Sequence, residues 1–183
     1  MDQFLDDLIT GKLLGDGSLE DRSLANSRLQ IRHSIKQKEY VDWCYMHLKE
    51  FAVSKPKQNR FSYYFRSKSL PMFTKLRKIW YVNGKKILPL HIKFTPLVIS
   101  IWYMDDGYYD RTRDSVWLCT HNFDLLEIER LRVALASFDI NSGKVRDRTH
   151  YKIRISSKDT CKFIELVRPH ILPSLLYKIG IAP

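Results

Sequence analysis

Cysteine is scarce in this chain. Cys44, Cys119 and Cys161 are the only three in 183 residues, and no two stand in C-x-x-C spacing. That argues against a zinc site, and the three are expected as small buried apolar residues in a reducing compartment. Acid is scarce as well. Twenty Asp and Glu against 31 Lys and Arg leave a net charge of +11 and a pI near 9.6. Such a balance calls for a polyanionic partner, nucleic acid ahead of a membrane surface. No apolar run reaches membrane-spanning length. The first twenty residues set Asp2, Asp6, Asp7, Asp16 and Glu20 against Lys12 alone, the wrong sign for a secretory or mitochondrial leader. The expectation is an intracellular protein that works where it is made.

What the chain does have is an apolar helix that ends in acid. In Thr95 to Gly107, Thr95 can cap and Pro96 stands at the first helical position, where its missing N–H costs nothing. Leu97, Val98, Ile99, Ile101, Trp102 and Met104 follow without a charge, so the helix is expected to be buried nearly all round. It then meets Asp105-Asp106-Gly107, with Gly107 expected to leave the helix through a left-handed turn. Two carboxylates at a helix C-terminus oppose the helix dipole, a local conflict of the kind that marks function.

The stretch occurs twice. Phe4 to Gly17 ends in Leu13-Leu14-Gly15-Asp16-Gly17, which places Asp16 and Asp106 before glycines 90 residues apart. Arg66-Ser67-Lys68-Ser69 matches Ser156-Ser157-Lys158-Asp159 and Phe73 matches Phe163 at 90; His33-Ser34 matches His121-Asn122 at 88. That period is too long for a solenoid. It fits two copies of one module joined face to face, residues 1–93 and 94–183.

Alternation supplies the strands. In Ser27 to His33, Arg28, Gln30 and Arg32 oppose Leu29, Ile31 and His33; in Arg60 to Arg66, Arg60, Ser62, Tyr64 and Arg66 oppose Phe61, Tyr63 and Phe65. Ser34 with Gln37 forms a capping-box pattern, Ser69 can cap a helix to about Tyr81, and Asn83-Gly84 turns the chain. Val116 to Thr120 is a strand, Asn122 or Asp124 caps a helix to about Phe138, and Asn141-Ser142-Gly143 turns. Lys144, Arg146 and Arg148 alternate on the next strand. Lys152 and Arg154 alternate with Tyr151, Ile153 and Ile155 on the one after, and a last helix runs from about Asp159 to Val167. Each half reads helix, two strands, helix, two strands, helix. The polar strand faces carry Arg, Lys, Gln, Ser and Tyr, long donors suited to base edges in a major groove that admits a two-stranded ribbon.

Two helix-ending Asp-Gly motifs half a chain apart on a basic α/β chain resemble the LAGLIDADG homing endonucleases. The motif copies are Ile9 to Gly17 and Ile99 to Gly107. Lys85-Lys86-Ile87-Leu88-Pro89, Thr95-Pro96, Trp102 to Gly107 and the tail Val167 to Lys178 are similar to the two-motif, intron-encoded branch. The resemblance covers nearly the whole chain. It implies an α+β fold, a monomer with a pseudo-twofold pair of αββαββα halves packed through the motif helices, with saddle-shaped antiparallel sheets. It also implies a site-specific endonuclease that hydrolyses both strands of a long pseudo-palindromic DNA site.

By the same resemblance Asp16 and Asp106 hold divalent metal, Mg2+ with Mn2+ as substitute, and the carbonyls of Gly15 and Asp105 complete its coordination. Lys86 and Lys178 are the basic residues beside each site, expected to stabilise the charged transition state. Arg28, Gln30, Arg32, Arg60, Ser62, Tyr64 and Arg66 in one half, and Lys144, Arg146, Arg148, Lys152 and Arg154 in the other, are the candidate DNA contacts. Lys12 departs from the family in a position that is usually apolar, and Leu14 and Met104 replace the first acid of the motif. The alternatives are an RNA maturase, a splicing cofactor using Tyr63, Tyr64, Tyr108 and Tyr109 on intron RNA, and a non-catalytic DNA-binding protein. An intron-encoded chain would work in a mitochondrion, a chloroplast or a prokaryotic cytoplasm; a membrane is not expected as a partner.

Overall fold

The computed structural model describes residues 2–23 and 26–181. The first half runs α1 (Gln3–Leu14), β1 (Ser18–Ser23), β2 (Asn26–Ser34), α2 (Lys38–Leu48), β3 (Lys57–Asn59), β4 (Ser62–Arg66) and α3 (Pro71–Trp80). A hairpin of β5 (Tyr81–Val82) and β6 (Lys85–Lys86) then leads toward the second half. That half runs α4 (Pro96–Asp106), β7 (Gly107–Asp110), β8 (Ser115–Cys119), α5 (Leu125–Ala136), β9 (Ser142–Asp147), β10 (His150–Ile155) and α6 (Thr160–Val167). It closes in two short 3-10 turns, Arg168–His170 and Pro173–Ile179. Each half is therefore αββαββα, and its four strands form one antiparallel sheet, β1-β2-β4-β3 and β7-β8-β10-β9.

The motif helices α1 and α4 form the centre and pack on each other. Gly11 makes the approach close: a Cβ there would lie 2.6 Å from Ile101 Cβ and 3.0 Å from the Val98 carbonyl. From Val98 to Met104 every residue of α4 is buried, Ser100 included, in line with a run that carries no charge. Thr95 begins the helix by accepting from Val98 N at 3.1 Å, with Pro96 at the first position. Its hydroxyl also donates to Asp7 of α1 at 2.7 Å, a first link between the halves.

Several local expectations resolve differently. Gly107 leaves α4 extended, at φ −92° and ψ 156°, so it is not needed for a left-handed turn. Glycine is needed there because a Cβ would fall 1.9 Å from the Tyr103 ring; at Gly17 it would fall 2.6 Å from the Lys12 carbonyl. Ser34 caps a single 3-10 turn, Ile35–Gln37, and α2 starts after it. Leu70, not Ser69, precedes α3, whose N-terminus is set by Pro71. Asn83 and Gly84 do turn the chain, both at positive φ, whereas Asn141 to Gly143 already enters β9. Asp124 caps α5 in a complete capping box with Glu127. Of the cysteines only Cys44 is buried; Cys161 is exposed.

Candidate active site at the ends of the motif helices

The two helices deliver three carboxylates to one place. Asp105, at the end of α4, reaches back across the helix contact to α1. Its Oδ2 accepts from Asp16 N at 2.9 Å, and its Oδ1 accepts from the Lys12 ammonium at 2.6 Å and the Tyr40 hydroxyl at 2.8 Å. A Cβ on Gly15 would lie 2.4 Å from Asp105 Cβ, so the crossing requires glycine there. Lys12 is fully buried: its Nζ stands 2.6 Å from His33 Nε2 and 4.7 Å from the Tyr40 ring centroid.

Charge in this cluster is balanced locally. Burial is the largest influence on the Asp105 pKa and would raise it, but Lys12, His33 and the Tyr40 hydroxyl together hold the carboxyl below its ordinary value. Burial, then the Lys12 charge, pushes His33 down to about 3, so the ring is neutral. With Nε2 facing an ammonium, its proton belongs on Nδ1, which lies 3.4 Å from Asp16 Oδ2. Among the described residues, Asp16, His33 and Asp105 are the set of potential ligand atoms gathered within 4.8 Å. Lys12 already supplies the cation at the Asp105 end.

Asp16 and Asp106 differ from Asp105 in that, among the described residues, no lysine forms an ion pair with their carboxylates. The Asp16 side chain is 46% exposed, and its pKa is raised by partial burial and the nearby Asp105 charge. Asp106 is pushed up to about 7 by burial, then by the charges of Asp16 and Asp105.

Lys86 and Lys178 arrive by different routes at matching places. Lys86 stands on the short strand β6 and donates to the carbonyls of Gly15 at 2.8 Å and Gly17 at 2.7 Å. Lys178 comes from the final 3-10 turn and donates to the carbonyls of Met104, Asp105 and Gly107 at 2.6, 3.2 and 3.0 Å. Each ammonium thus straddles the motif aspartate of its own half, and burial lowers the pKa of both. The carbonyls of Gly15 and Asp105 therefore already accept from lysine, each with a second lone pair remaining.

The sheets carry the other candidates. Residues directly opposed across strands share a face. In the first sheet the rows Glu20–Arg28, Ser18–Gln30–Arg66, Arg32–Tyr64–Lys57 and Ser34–Ser62–Asn59 all lie opposite the core side. Arg28, Gln30, Arg32, Ser62, Tyr64 and Arg66 thus share one surface, as expected. Arg60 does not belong to a strand; it turns the β3–β4 hairpin at φ 52° and leaves Phe61 86% exposed. In the second sheet Lys152 and Arg154 share a face with Tyr108 and Trp117.

Lys144 and Arg146 depart from the expectation. They pair with Ile153 and Tyr151, on the helix side of the sheet, and Lys144 reaches Glu129 of α5 at 3.0 Å. Arg148 sits in the β9–β10 turn at φ 55°. The two surfaces also differ in chemistry. The row of hydrogen-bonding groups in the first half is matched in the second by Tyr108 and Trp117, whose rings are parallel within 2° and 6.1 Å apart, with Arg154 over the indole at 5.7 Å.

Lys12 was legible only as an oddity in an apolar position, and His33 only as a member of an apolar strand face. His33 repeating as His121 was the one signal that could have singled it out.

Paired helices ending in aspartates beneath two open, basic sheets define a nuclease fold, and the chain belongs to the LAGLIDADG DNA endonuclease family, matching it over residues 7–163. It is 28% identical to the cytochrome b mRNA maturase bI2 of Debaryomyces hansenii, over 98% of this chain and 75% of that protein. It is 26% identical to a probable intron-encoded endonuclease 1 of Wickerhamomyces canadensis, over 95% of this chain and 83% of the relative. Protein RecA of Mycolicibacterium fallax matches at 29% over 94% of the chain, which spans 45% of that protein's length. Among solved structures, the homing endonuclease I-WcaI bound to its DNA recognition sequence superimposes with a TM-score of 0.86 at 24% identity, covering 98% of this chain and 87% of the other. I-DmoI in complex with DNA and Mn superimposes at 0.63 and 16% identity, covering 92% and 98%.

Proposed function

We propose that this chain is a monomeric, site-specific DNA endonuclease that hydrolyses both strands of a long duplex site with magnesium held between Asp16 and Asp106. The observation that carries this reading is the pair itself: two aspartates at the ends of crossing helices, with Asp106 pushed up to about 7 by burial and like charge. A divalent cation relieves that repulsion, and carboxylate oxygens without thiolate suit a hard ion. When bound, such an ion activates a water and stabilises the leaving 3′ oxygen. The remaining work falls to the protein. Lys86 and Lys178 hold the motif turns through their carbonyls and place an ammonium beside each aspartate, where phosphate charge develops. The halves divide at about 93/94, and each sheet lies against half of the target.

The solved I-WcaI and I-DmoI complexes, each with DNA, support the duplex as substrate. The intron-encoded yeast relatives support an organellar setting. The maturase relative favours a second reading, an intron RNA partner on the same fold. Selection of cleaved products from a randomised duplex library with magnesium decides between them. A defined site should be cut on both strands, and Asp106→Asn should bind it but cut at least one strand orders of magnitude more slowly. Wild-type protein that cuts no duplex, binds intron RNA and ignores Asp106→Asn would establish the maturase instead.

A further inference from the structure

One acid stands among the cations of the first sheet's open face. Glu20 of β1 is the register partner of Arg28 and points to the same side. Its Oε2 accepts from Arg28 Nε at 2.8 Å and Nη2 at 2.7 Å, and lies 3.2 Å from Arg66 Nε. Arg66 Nε also donates to Gln30 Oε1 at 2.8 Å. A carboxylate on a surface that meets phosphates opposes their approach. What it supplies is order, because two long guanidinium side chains are held side by side before any ligand arrives. Arg66 makes one hydrogen bond, to Gln30, and one ion-pair contact, to Glu20, both through Nε, which leaves its two-pronged Nη edge for a base.

The second half pins a different cation: Asp147 of β9, on the same face as Lys152 and Arg154, lies 2.8 Å from Lys152 Nζ and 3.1 Å from His121 Nε2, and among the described residues no acid contacts Arg154. That half's counterpart of Glu20, Asp110, accepts from the turn amides of Thr112 and Arg113 at 3.0 and 3.2 Å. Arg154 is steadied by Trp117 instead, and its buried Nε has no hydrogen-bond partner among the described residues.

We propose that Glu20 is a specificity-determining positioning residue. It fixes Arg28 and Arg66 so that their free N–H groups meet guanine edges in the major groove, O6 and N7, rather than phosphates, in the half of the target beneath the first sheet. This rests on the proposed DNA reading. Acid-pinned arginines give up general attraction and gain selectivity between base pairs.

The test is selection of bound duplexes from a randomised library, with calcium in place of magnesium, by wild type, Glu20→Gln, Arg28→Met and Arg66→Met. Glu20→Gln should lose about tenfold or more in preference at the same G·C pairs that the two arginine variants lose. Preferences beneath the second sheet should stay unchanged. The variant should also bind an unrelated duplex about two- to fivefold more tightly than wild type, since a repelling charge is gone. An unaltered profile, a loss spread over both halves, or no tighter binding of the unrelated duplex would overturn the proposal. So would losses at pairs the arginine variants keep, which would make Glu20 a direct reader. Wild type that selects no duplex sequence at all would instead remove the DNA reading beneath it.

Discussion

Lys12 and Asp105 hold each other in a fully dry place, both side chains at 0% exposure. Removing one partner of such a pair leaves a bare buried charge, which costs about 3–5 kcal/mol, whereas removing both charges is often neutral. Lys12→Met should therefore lower the unfolding free energy by about that amount, and Lys12→Met/Asp105→Asn should recover most of it. Urea denaturation of wild type, Lys12→Met, Asp105→Asn and the double variant measures the coupling, and simple additivity would show that the pair is not one unit. Asp106 presents the opposite case. Its folded pKa, about 7, lies above the ordinary 3.8, so the folded state keeps a proton that the unfolded chain loses. Stability is then lost as pH rises from about 4 to 7. In EDTA, Asp106→Asn should match wild type near pH 4 and exceed it by about 1–3 kcal/mol at pH 8, a gap that urea titrations at both pH values resolve. Asp16 and Asp106 stand out in the sequence because each precedes a glycine after an apolar run. The role of Lys12 could not, since its partner lies 93 residues away and no local pattern connects them.

At the scale of elements, the contact between α1 and α4 depends on Gly11. A methyl group there meets Ile101 and the Val98 carbonyl below ordinary contact distance, so Gly11→Ala should force the helices apart. The expected cost is about 1–3 kcal/mol in stability. Cleavage should fall far more than affinity for the target, because the aspartates ride on the helix ends while the proposed base contacts lie on the sheets. Parallel measurement of binding in calcium and cleavage in magnesium separates the two; equal losses would place the damage elsewhere. Helices and inner strands were readable because burial writes a pattern into them: α4 runs without a charge until its last two residues and β2 alternates. The outer strand β9 has no buried residue, so neither of its faces is marked and the side taken by Lys144 and Arg146 could not be inferred. Phe61 misled for a related reason. It continues the alternation of Tyr63 and Phe65, but Arg60 at positive φ has already turned the chain outward.

Across the whole molecule, two halves with one topology meet through unlike partners. Asp105 crosses to Lys12 and Asp16, and Thr95 crosses to Asp7. The link between them also leans forward, with Leu88 N bound to Glu127 and Arg130 bound to the carbonyls of Leu88 and Pro89. The doubling could be read from the repeated motif, but this asymmetry could not, because it needs both copies in contact. It makes each half a poor partner for itself. Two copies of the first would set a buried Lys12 against Gly15 with no acid to receive it, and two copies of the second would set Asp105 against Trp102. Chain fission between Leu90 and Lys93 should consequently yield fragments that assemble as an obligate heterodimer, measurable by mixing tagged fragments and weighing the complexes. A nuclease divided in this way would be inactive until two separately made polypeptides found each other, a conditional enzyme already latent in one buried ion pair.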